Sequence, residues 1–406
     1  MSDPDIVIVG AGHAGGRAAE ALRSAGHQGA ITLLGSENHP PYERPPLSKE
    51  LLAGTIAVEK TYLRPRAWYG EAGIDLRLGA TAVALDAAAQ RVTLADGSTV
   101  PYDALLLTTG ARARRLRIPG GDGPRIYYLR DIADTLALRE LLVPDIRVAV
   151  IGAGFIGLEI AATAAKRGAA VTVIELAPHV LARVAPPEIG AYVADLHRRN
   201  GVTIRTGVAV NAIEPAGDAV ALVTQDGERI IADLVAIGVG AQPNTELAAA
   251  AGLVVEDGVR VDEFGRSSDP NIYAAGDVTR HFNPLVGRAI RLEAWQNAQN
   301  QAIAVAKVMA GGGQAFAEVP WFWTDQFDMN LQMAGAPENW DRLVWRGDPA
   351  ERAFTVFHLA DGIPVAVTTV NTARDMRFAR MIVQRGLAVD PAALANKAVK
   401  LQDLAR

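Results

Sequence analysis

The chain of 406 residues contains no cysteine. That excludes structural disulfides, thiolate metal sites, cysteine-ligated iron–sulfur clusters and any redox-active protein disulfide. It also fits an intracellular protein, and we expect a cytoplasmic one. Histidine is scarce: the seven are scattered without H-E-x-x-H spacing, so no metal site is predicted. Basic charge is not in excess. The net charge is -5, which gives no reason to expect nucleic acid as a partner. No uninterrupted apolar run approaches membrane-spanning length, so no membrane association is expected. The start, MSDPD, is acidic, and the apolar run behind it breaks at Gly10 and His13, unlike a signal peptide. What remains is 50% hydrophobic and 21% charged, the balance of a globular chain with sizeable cores. The length suggests two or three domains.

The organising stretch is the first forty residues. Asp5 to Gly10 reads DIVIVG, a short buried strand running into glycine. Gly10-Ala11-Gly12-His13-Ala14-Gly15 is a G-x-G-x-x-G turn. An alanine-rich helix is predicted over Gly16 to Ala25, and a second strand over Ala30 to Leu34. Strand, glycine turn, helix and strand together are the context that lifts this motif above chance. The glycines permit a tight turn and close approach of the backbone to a pyrophosphate, which then sits on free N–H groups at the positive end of the helix. The pattern recurs. Val148 to Ile151 is a strand, Gly152-Ala153-Gly154-Phe155-Ile156-Gly157 is the turn, Leu158 to Lys166 a helix, and Ala170 to Ile174 a strand ending in Glu175. Two such units imply two bound dinucleotides. In the second, Glu175 stands where a carboxylate can accept a ribose 2′-hydroxyl. In the first, the matching strand end is Gly35, and either Ser36 or Glu37 is available for that task.

Between and beyond these units the chain offers other signals. Pro40 to Lys49 holds four prolines and predicts a stiff loop, neither helix nor strand, with Arg44 and Lys49 beside the first turn. Strand and turn signals fill residues 74 to 107 and 202 to 237; the latter run ends in Leu234 to Ile237, followed by Gly238-Val239-Gly240. Ile272 to Val278 reads as a strand through Gly276-Asp277. A helix is predicted from about Glu293 to Met309, with Gly311 to Gly313 as a candidate linker. The last ninety residues open on an aromatic cluster, Trp321 to Trp323. They continue through a hairpin around Asp361-Gly362 to two helices.

Taken together, GAGHAG at 10–15, RPPLSK at 44–49, TTGA at 108–111, GAGFIGLE at 152–159, AAGD at 274–277 and PWFWTDQF at 320–327 resemble a known family. It is the FAD-dependent ferredoxin reductases of bacterial oxygenase systems, which includes putidaredoxin reductase and the reductase components of Rieske-type aromatic dioxygenases. The resemblance covers essentially the whole chain. It implies an α/β fold of two doubly wound dinucleotide-binding domains, one inserted in the other, plus a C-terminal α+β domain. The expected boundaries are 1–112 with 240–315 for FAD, 113–239 for NAD, and 316–406. FAD would be placed by Gly12, Ala14, Gly15, Arg44, Lys49, Val83, Gly110, Arg130, Asp277 and Trp295. Gly10, His13, Ser36, Glu37, Thr109, Gly276, Glu293, Ala294 and Trp323 complete that candidate set. NAD would be held by Gly152, Gly154, Phe155, Ile156, Gly157, Glu159 and Glu175, with Arg183, Gly238 and Gly240 nearby. Where the family usually carries Asp, this chain has Ser36, which can hydrogen-bond the adenosine ribose without charge.

The resemblance implies hydride transfer from NADH to FAD and single-electron transfer to a [2Fe–2S] ferredoxin. That ferredoxin is a transient partner serving a cytochrome P450 or Rieske-type oxygenase. Relatives that reduce disulfides or peroxides need a cysteine this chain lacks, so electrons must leave directly from the flavin. Lys49 and Glu159 are the expected charged pair near flavin N5 and the nicotinamide. Trp295 and Trp323 are expected in the walls of the flavin pocket. Ferredoxin docking is expected on a local basic patch, either Arg112, Arg114, Arg115 and Arg117 or Arg374, Arg377 and Arg380. Two rival readings stand beside this one. One is an NADH oxidase or quinone reductase; the other is a flavin-binding NADH sensor without turnover.

Overall fold

Ile6–Val9 carries four apolar residues, and all four are buried, as in a strand covered on both faces. In the computed structural model, which describes residues 3–336 and 340–406, it is the middle strand of a five-stranded parallel sheet. The strands run in the order Ile272–Ala274, Ala104–Leu107, Ile6–Val9, Ile31–Leu34, Ile74–Arg77. Arg147–Ile151 holds the same central place in a second parallel sheet. Its order is Ile126–Tyr128, Leu234–Ile237, Arg147–Ile151, Ala170–Glu175, Thr203–Thr206. Each sheet is accompanied by a three-stranded antiparallel meander, Ala82–Asp86 to Thr99–Pro101 in one case and Val210–Ala216 to Arg229–Ala232 in the other.

These sheets belong to two units. One comprises Met1–Arg44, Glu59–Arg112 and Gln242–Phe322; the other comprises Pro45–Val58, Ala113–Ala241 and Trp323–Arg406. Where three domains were expected from sequence, the chain divides into two units, with Trp323–Arg406 grouped in the second. In the first unit, helix His13–Ser24 and helix Trp295–Met309 share a core of Ala18, Ala19, Leu22, Ala298, Ala302 and Val305. Small side chains let the two helices lie close. In the second unit, helix Phe155–Lys166 and helix Pro187–Arg199 bury Leu158, Ala161, Ile189 and Val193 with the sheet residues Val148, Val150 and Val173. That unit also holds an antiparallel sheet of the C-terminal residues, including the hairpin Phe354–Ala360 and Ile363–Val370 around Asp361-Gly362.

Several boundaries differ from the sequence expectations. Both glycine-turn helices start inside the motif, at His13 and Phe155, because the last three motif residues already have helical backbone. The proline loop is not irregular throughout: Pro45–Ser48 is a 3-10 turn and Glu50–Ala53 a helical turn, since the fixed proline φ suits a helical start. The strand at 272 stops at Ala274, before Gly276 turns with φ +83°. After Ala373–Arg385, the C-terminus has two short helices, Pro391–Ala395 and Leu401–Leu404, where one was expected. Gly311–Gly313 is no slack linker, for a Cβ on Gly313 would lie 2.9 Å from the Val308 backbone nitrogen.

The two glycine turns are near duplicates. Gly10 and Gly152 have φ of +114° and +100°, a region that disfavours side chains. A Cβ on Gly15 would lie 1.9 Å from the Gly10 carbonyl oxygen, and one on Gly157 2.0 Å from that of Gly152. On Gly12 and Gly154 it would meet nothing within 4 Å. The outer glycines thus serve packing, while the middle one opens onto space. Gly157→Ala is expected to destabilise the protein by about 1–3 kcal/mol through overpacking. Gly154→Ala should stay within about 0.5 kcal/mol of the parent. Urea unfolding followed by tryptophan fluorescence checks the contrast, and equal midpoints for the two variants would contradict it.

Candidate active site

In the first unit the turn after Ile6–Val9 brings Gly10, Gly12, His13, Ala14 and Gly15 to the N-terminus of helix His13–Ser24. No side chain caps that end. Thr108 donates its hydroxyl to the Gly10 carbonyl at 2.8 Å and fixes the turn. Thr109 donates to the Asn244 carbonyl at 2.7 Å, beside Gly110, whose φ is +63°. Gly276 approaches the same helix: a Cβ there would lie 3.0 Å from that of Ala14. Its N–H donates to Gln301 Oε1 at 2.9 Å, as does the Thr279 hydroxyl. This buried glutamine holds the turn that presents half-buried Asp277. The imidazole of His13 lies 5.2 Å from the Trp295 ring. Burial, then the charges of Arg17 and Arg44, push His13 down to about 3, so it is neutral. Both its ring nitrogens are buried without a hydrogen-bond partner.

The other expected residues of this unit range from exposed to buried. Ser36 is exposed, while Glu37 accepts from the Tyr42 hydroxyl at 2.7 Å and pairs with Arg44 at 3.4 Å. Glu37 is thus engaged, and Ser36 is the more available of the two. Val83 sits where the strand register shifts between Ala82 and Ala84, and is 56% exposed. Glu293 is exposed and pairs with Arg291; Ala294 caps the helix Trp295–Met309.

In the second unit Gly152, Gly154, Phe155 and Ile156 repeat the arrangement at the N-terminus of helix Phe155–Lys166. Glu175, at the end of its strand, accepts from the Ala153 N–H at 2.6 Å and from the Ala177 N–H at 2.8 Å. The carboxylate is therefore fixed against the glycine turn. Leu176 beside it is 70% exposed, an apolar surface that sequence reasoning missed. Gly238 packs against Gly157, and the Arg183 guanidinium lies over Gly240, 3.4 Å from where a Cβ would be. Arg130, whose N–H donates to Asp134, belongs to this unit as well.

One turn into the second helix, Glu159 is buried, at 3% exposure. Lys49 Nζ lies 3.1 Å from its Oε1, Thr324 donates to the same oxygen at 2.7 Å, and Ser48 donates to Oε2. The Lys49 ammonium also stands 5.6 Å from the Trp323 ring centroid. Burial pushes the Glu159 carboxyl up, opposed first by Lys49 and then by the two hydroxyls. The expected proximity of Lys49 and Glu159 is met. Ser48 and Thr324 were not foreseen: both lie inside recognised motifs, but nothing in their spacing says that they meet one carboxylate.

The arginine clusters differ in company. Arg112 bonds Asn244 and Glu246, and Arg115 lies 4.2 Å over the Tyr128 ring. Arg374 and Arg377 are exposed on helix Ala373–Arg385. Among the described residues no helix is long and apolar enough to cross a membrane, and no group of three or more histidine, aspartate or glutamate side chains is placed to hold a metal ion.

The donor sets fit two dinucleotides. Each glycine turn has open space in front of uncapped helix N–H groups, and the first adds an orphaned buried imidazole. Comparison with known proteins agrees. Residues 4–302 match the pyridine nucleotide-disulphide oxidoreductase family, and residues 321–405 match the reductase C-terminal family. The chain is 46% identical over 403 residues to the anthranilate 1,2-dioxygenase system ferredoxin–NAD(+) reductase component of Burkholderia cepacia, covering 99% of each. It is 39% identical over 409 residues to putidaredoxin reductase of Pseudomonas putida, covering 99% of this chain and 97% of that one. Among solved structures, the covalent putidaredoxin reductase–putidaredoxin complex superposes with a TM-score of 0.96 at 40% identity, covering 100% of this chain and 98% of that one. The ferredoxin reductase for the CYP199A2 system of Rhodopseudomonas palustris also superposes with a TM-score of 0.96 at 40% identity, covering 99% and 100%. The chain belongs to the pyridine nucleotide-disulphide oxidoreductases, and within them to the ferredoxin–NAD(+) reductases of bacterial oxygenase systems.

Proposed function

We propose that this chain is an NADH-dependent ferredoxin reductase that passes electrons through FAD to a [2Fe–2S] ferredoxin serving a cytochrome P450 or Rieske-type oxygenase. The observation that carries the reading is the pair of complete glycine turns in a chain without cysteine. Two dinucleotides are provided for, and no protein thiol can take electrons between them and the acceptor. The bound cofactors supply the redox chemistry, by which one NADH and two oxidised ferredoxins give NAD(+), a proton and two reduced ferredoxins.

The chain's own residues bind, orient and set charge. Domains are assigned as 1–112 with 240–315 for FAD, 113–239 for NAD and 316–406 as the C-terminal domain. Backbone N–H groups from Gly12 to Gly15 take the FAD pyrophosphate, and Asp277 takes ribityl hydroxyls. His13, Arg44, Val83, Thr109, Gly110, Arg130 and Trp295 complete that assignment. The turn from Gly152 to Gly157 takes the NAD pyrophosphate, with Gly238 packed behind it and Gly240 under Arg183. Lys49 and Glu159 are assigned to the reacting ends of the cofactors, where a fixed ion pair orients the nicotinamide and resists random charge rearrangement. The protein is placed in the cytoplasm, where NADH is supplied.

Mixing the protein with NADH and cytochrome c, with and without a [2Fe–2S] ferredoxin, tests the reaction. Reduction should depend on the ferredoxin. Rapid NADH loss without it would mean an oxidase or quinone reductase, and a long-lived reduced flavin under every condition would mean a sensor.

Cofactor choice follows from Glu175. Its carboxylate, pinned by two backbone N–H groups, offers remaining lone pairs to a ribose 2′-hydroxyl and repels a 2′-phosphate. A charged hydrogen bond is worth about 1.5–3 kcal/mol, or about one to two decades. NADH should therefore be preferred at least about tenfold in kcat/KM. Glu175→Ala should weaken NADH and partly relieve the penalty on NADPH while leaving bound FAD unchanged. Steady-state assays with both cofactors check this; equal efficiencies in the parent would remove Glu175 as the discriminator.

A further inference from the structure

Strand Trp321–Gln326 turns two polar side chains inward, Thr324 and Gln326, and both are fully buried. Gln326 Oε1 lies 2.8 Å from Nε2 of His197, a buried residue in the last turn of helix Pro187–Arg199. Gln326 Nε2 donates to Thr324 Oγ1 at 3.0 Å, and Thr324 donates to Glu159 Oε1 at 2.7 Å. The direction of this chain is forced at the Gln326 amide. Its nitrogen only donates, so the Thr324 hydroxyl gives its own hydrogen to Glu159. The Thr324 oxygen then accepts from the amide nitrogen, and the Gln326 oxygen accepts from a protonated Nε2 of His197. Burial pushes His197 below the ordinary imidazole range, so the histidine is the neutral Nε2–H tautomer.

The surroundings of Glu159 leave this chain a definite task. From the loop, Lys49 supplies the facing charge and Ser48 a hydroxyl. Neighbouring hydroxyls are committed elsewhere: Thr163 donates to the Ser48 carbonyl and Thr135 to the Leu47 carbonyl. From the C-terminal strand comes Thr324, and behind it His197 is the titratable group at the far end. Without Thr324, Oε1 would keep Lys49 alone among these partners.

We propose that Thr324, oriented by Gln326 and His197, is a positioning residue that aims the Glu159 carboxylate at Lys49 and favours its charged form. The effect on turnover rests on the reading that places this pair at the reacting ends of the cofactors; the effect on Glu159 itself does not. The test follows the carboxyl carbon resonance of Glu159 in the FAD-loaded enzyme labelled with carbon-13 glutamate, assigned by its loss in Glu159→Gln. Removing a donor to the ionised form raises its pKa. Thr324→Val should therefore move the titration midpoint up by about one to two pH units. Thr324→Ser should restore it. In stopped-flow reduction by NADH, the acid limb of the pH profile should rise with the midpoint. A midpoint unmoved in Thr324→Val would overturn the positioning role. A midpoint that moves while the kinetic limb stays put would support that role and overturn the placement of the pair at the cofactors. If Thr324→Val does not fold, Thr324→Ala, which adds no bulk, reads the same midpoint, and its constancy would equally overturn the proposal.

Discussion

A backbone can approach an anion closely only where no side chain stands in the way, and that constraint shapes both halves of this chain. At Gly12 and Gly154 a Cβ would project into open space ahead of a helix, whereas at Gly10, Gly15, Gly152 and Gly157 it would strike backbone. The outer positions pull strand, turn and helix together, and the inner one leaves room for a ligand. The rest follows from that tight corner. The strands before the turns become the middle strands of two parallel sheets, and the helices after them must be small-faced. In the first unit the Gly276 turn is then drawn against Ala14 and held by Gln301.

The second unit adds a different constraint, a carboxylate without water. Glu159 replaces its hydration with an ammonium and two hydroxyls drawn from the loop at 48–49 and the strand at 324. Burying an ion is costly unless such partners are complete, and breaking one leaves the charge exposed to its own desolvation cost. The polarity concentrated there at 3% exposure makes Glu159 a candidate functional group rather than an ordinary ion pair.

Much of this was legible in the sequence because glycine turns obey local rules. The strands Ala104–Leu107 and Leu234–Ile237, both glycine turns and Glu175 at its strand end followed from motif and pattern, and the pairing of Lys49 with Glu159 from the family resemblance. The helix starts were misplaced because a glycine-rich sequence reads as turn even where its backbone is already helical. The 3-10 turn at Pro45–Ser48 was missed because proline was read only as a breaker. Ser48, Thr324, Gln326 and His197 were invisible as a set. Their contacts span more than a hundred residues, and no local pattern encodes a meeting at that distance. Leu176 escaped for another reason: an exposed apolar residue carries no periodicity to find.

The two sheets have the same strand order, but their outermost strands come from opposite directions along the chain. In the second sheet that strand is Ile126–Tyr128, already made when Leu234–Ile237 arrives to join it. In the first it is Ile272–Ala274, which pairs with Ala104–Leu107 only after the intervening residues exist. During synthesis the second parallel sheet can therefore close first, while Ala104–Leu107 waits with one edge unpaired, a state prone to mispairing. The chain returns beside its point of departure there, for Thr109 and Arg112 both bond Asn244. Holding residues 109–112 against 244 shortens the loop that Ile272–Ala274 must close to reach Ala104–Leu107, and with it the entropy cost of that pairing.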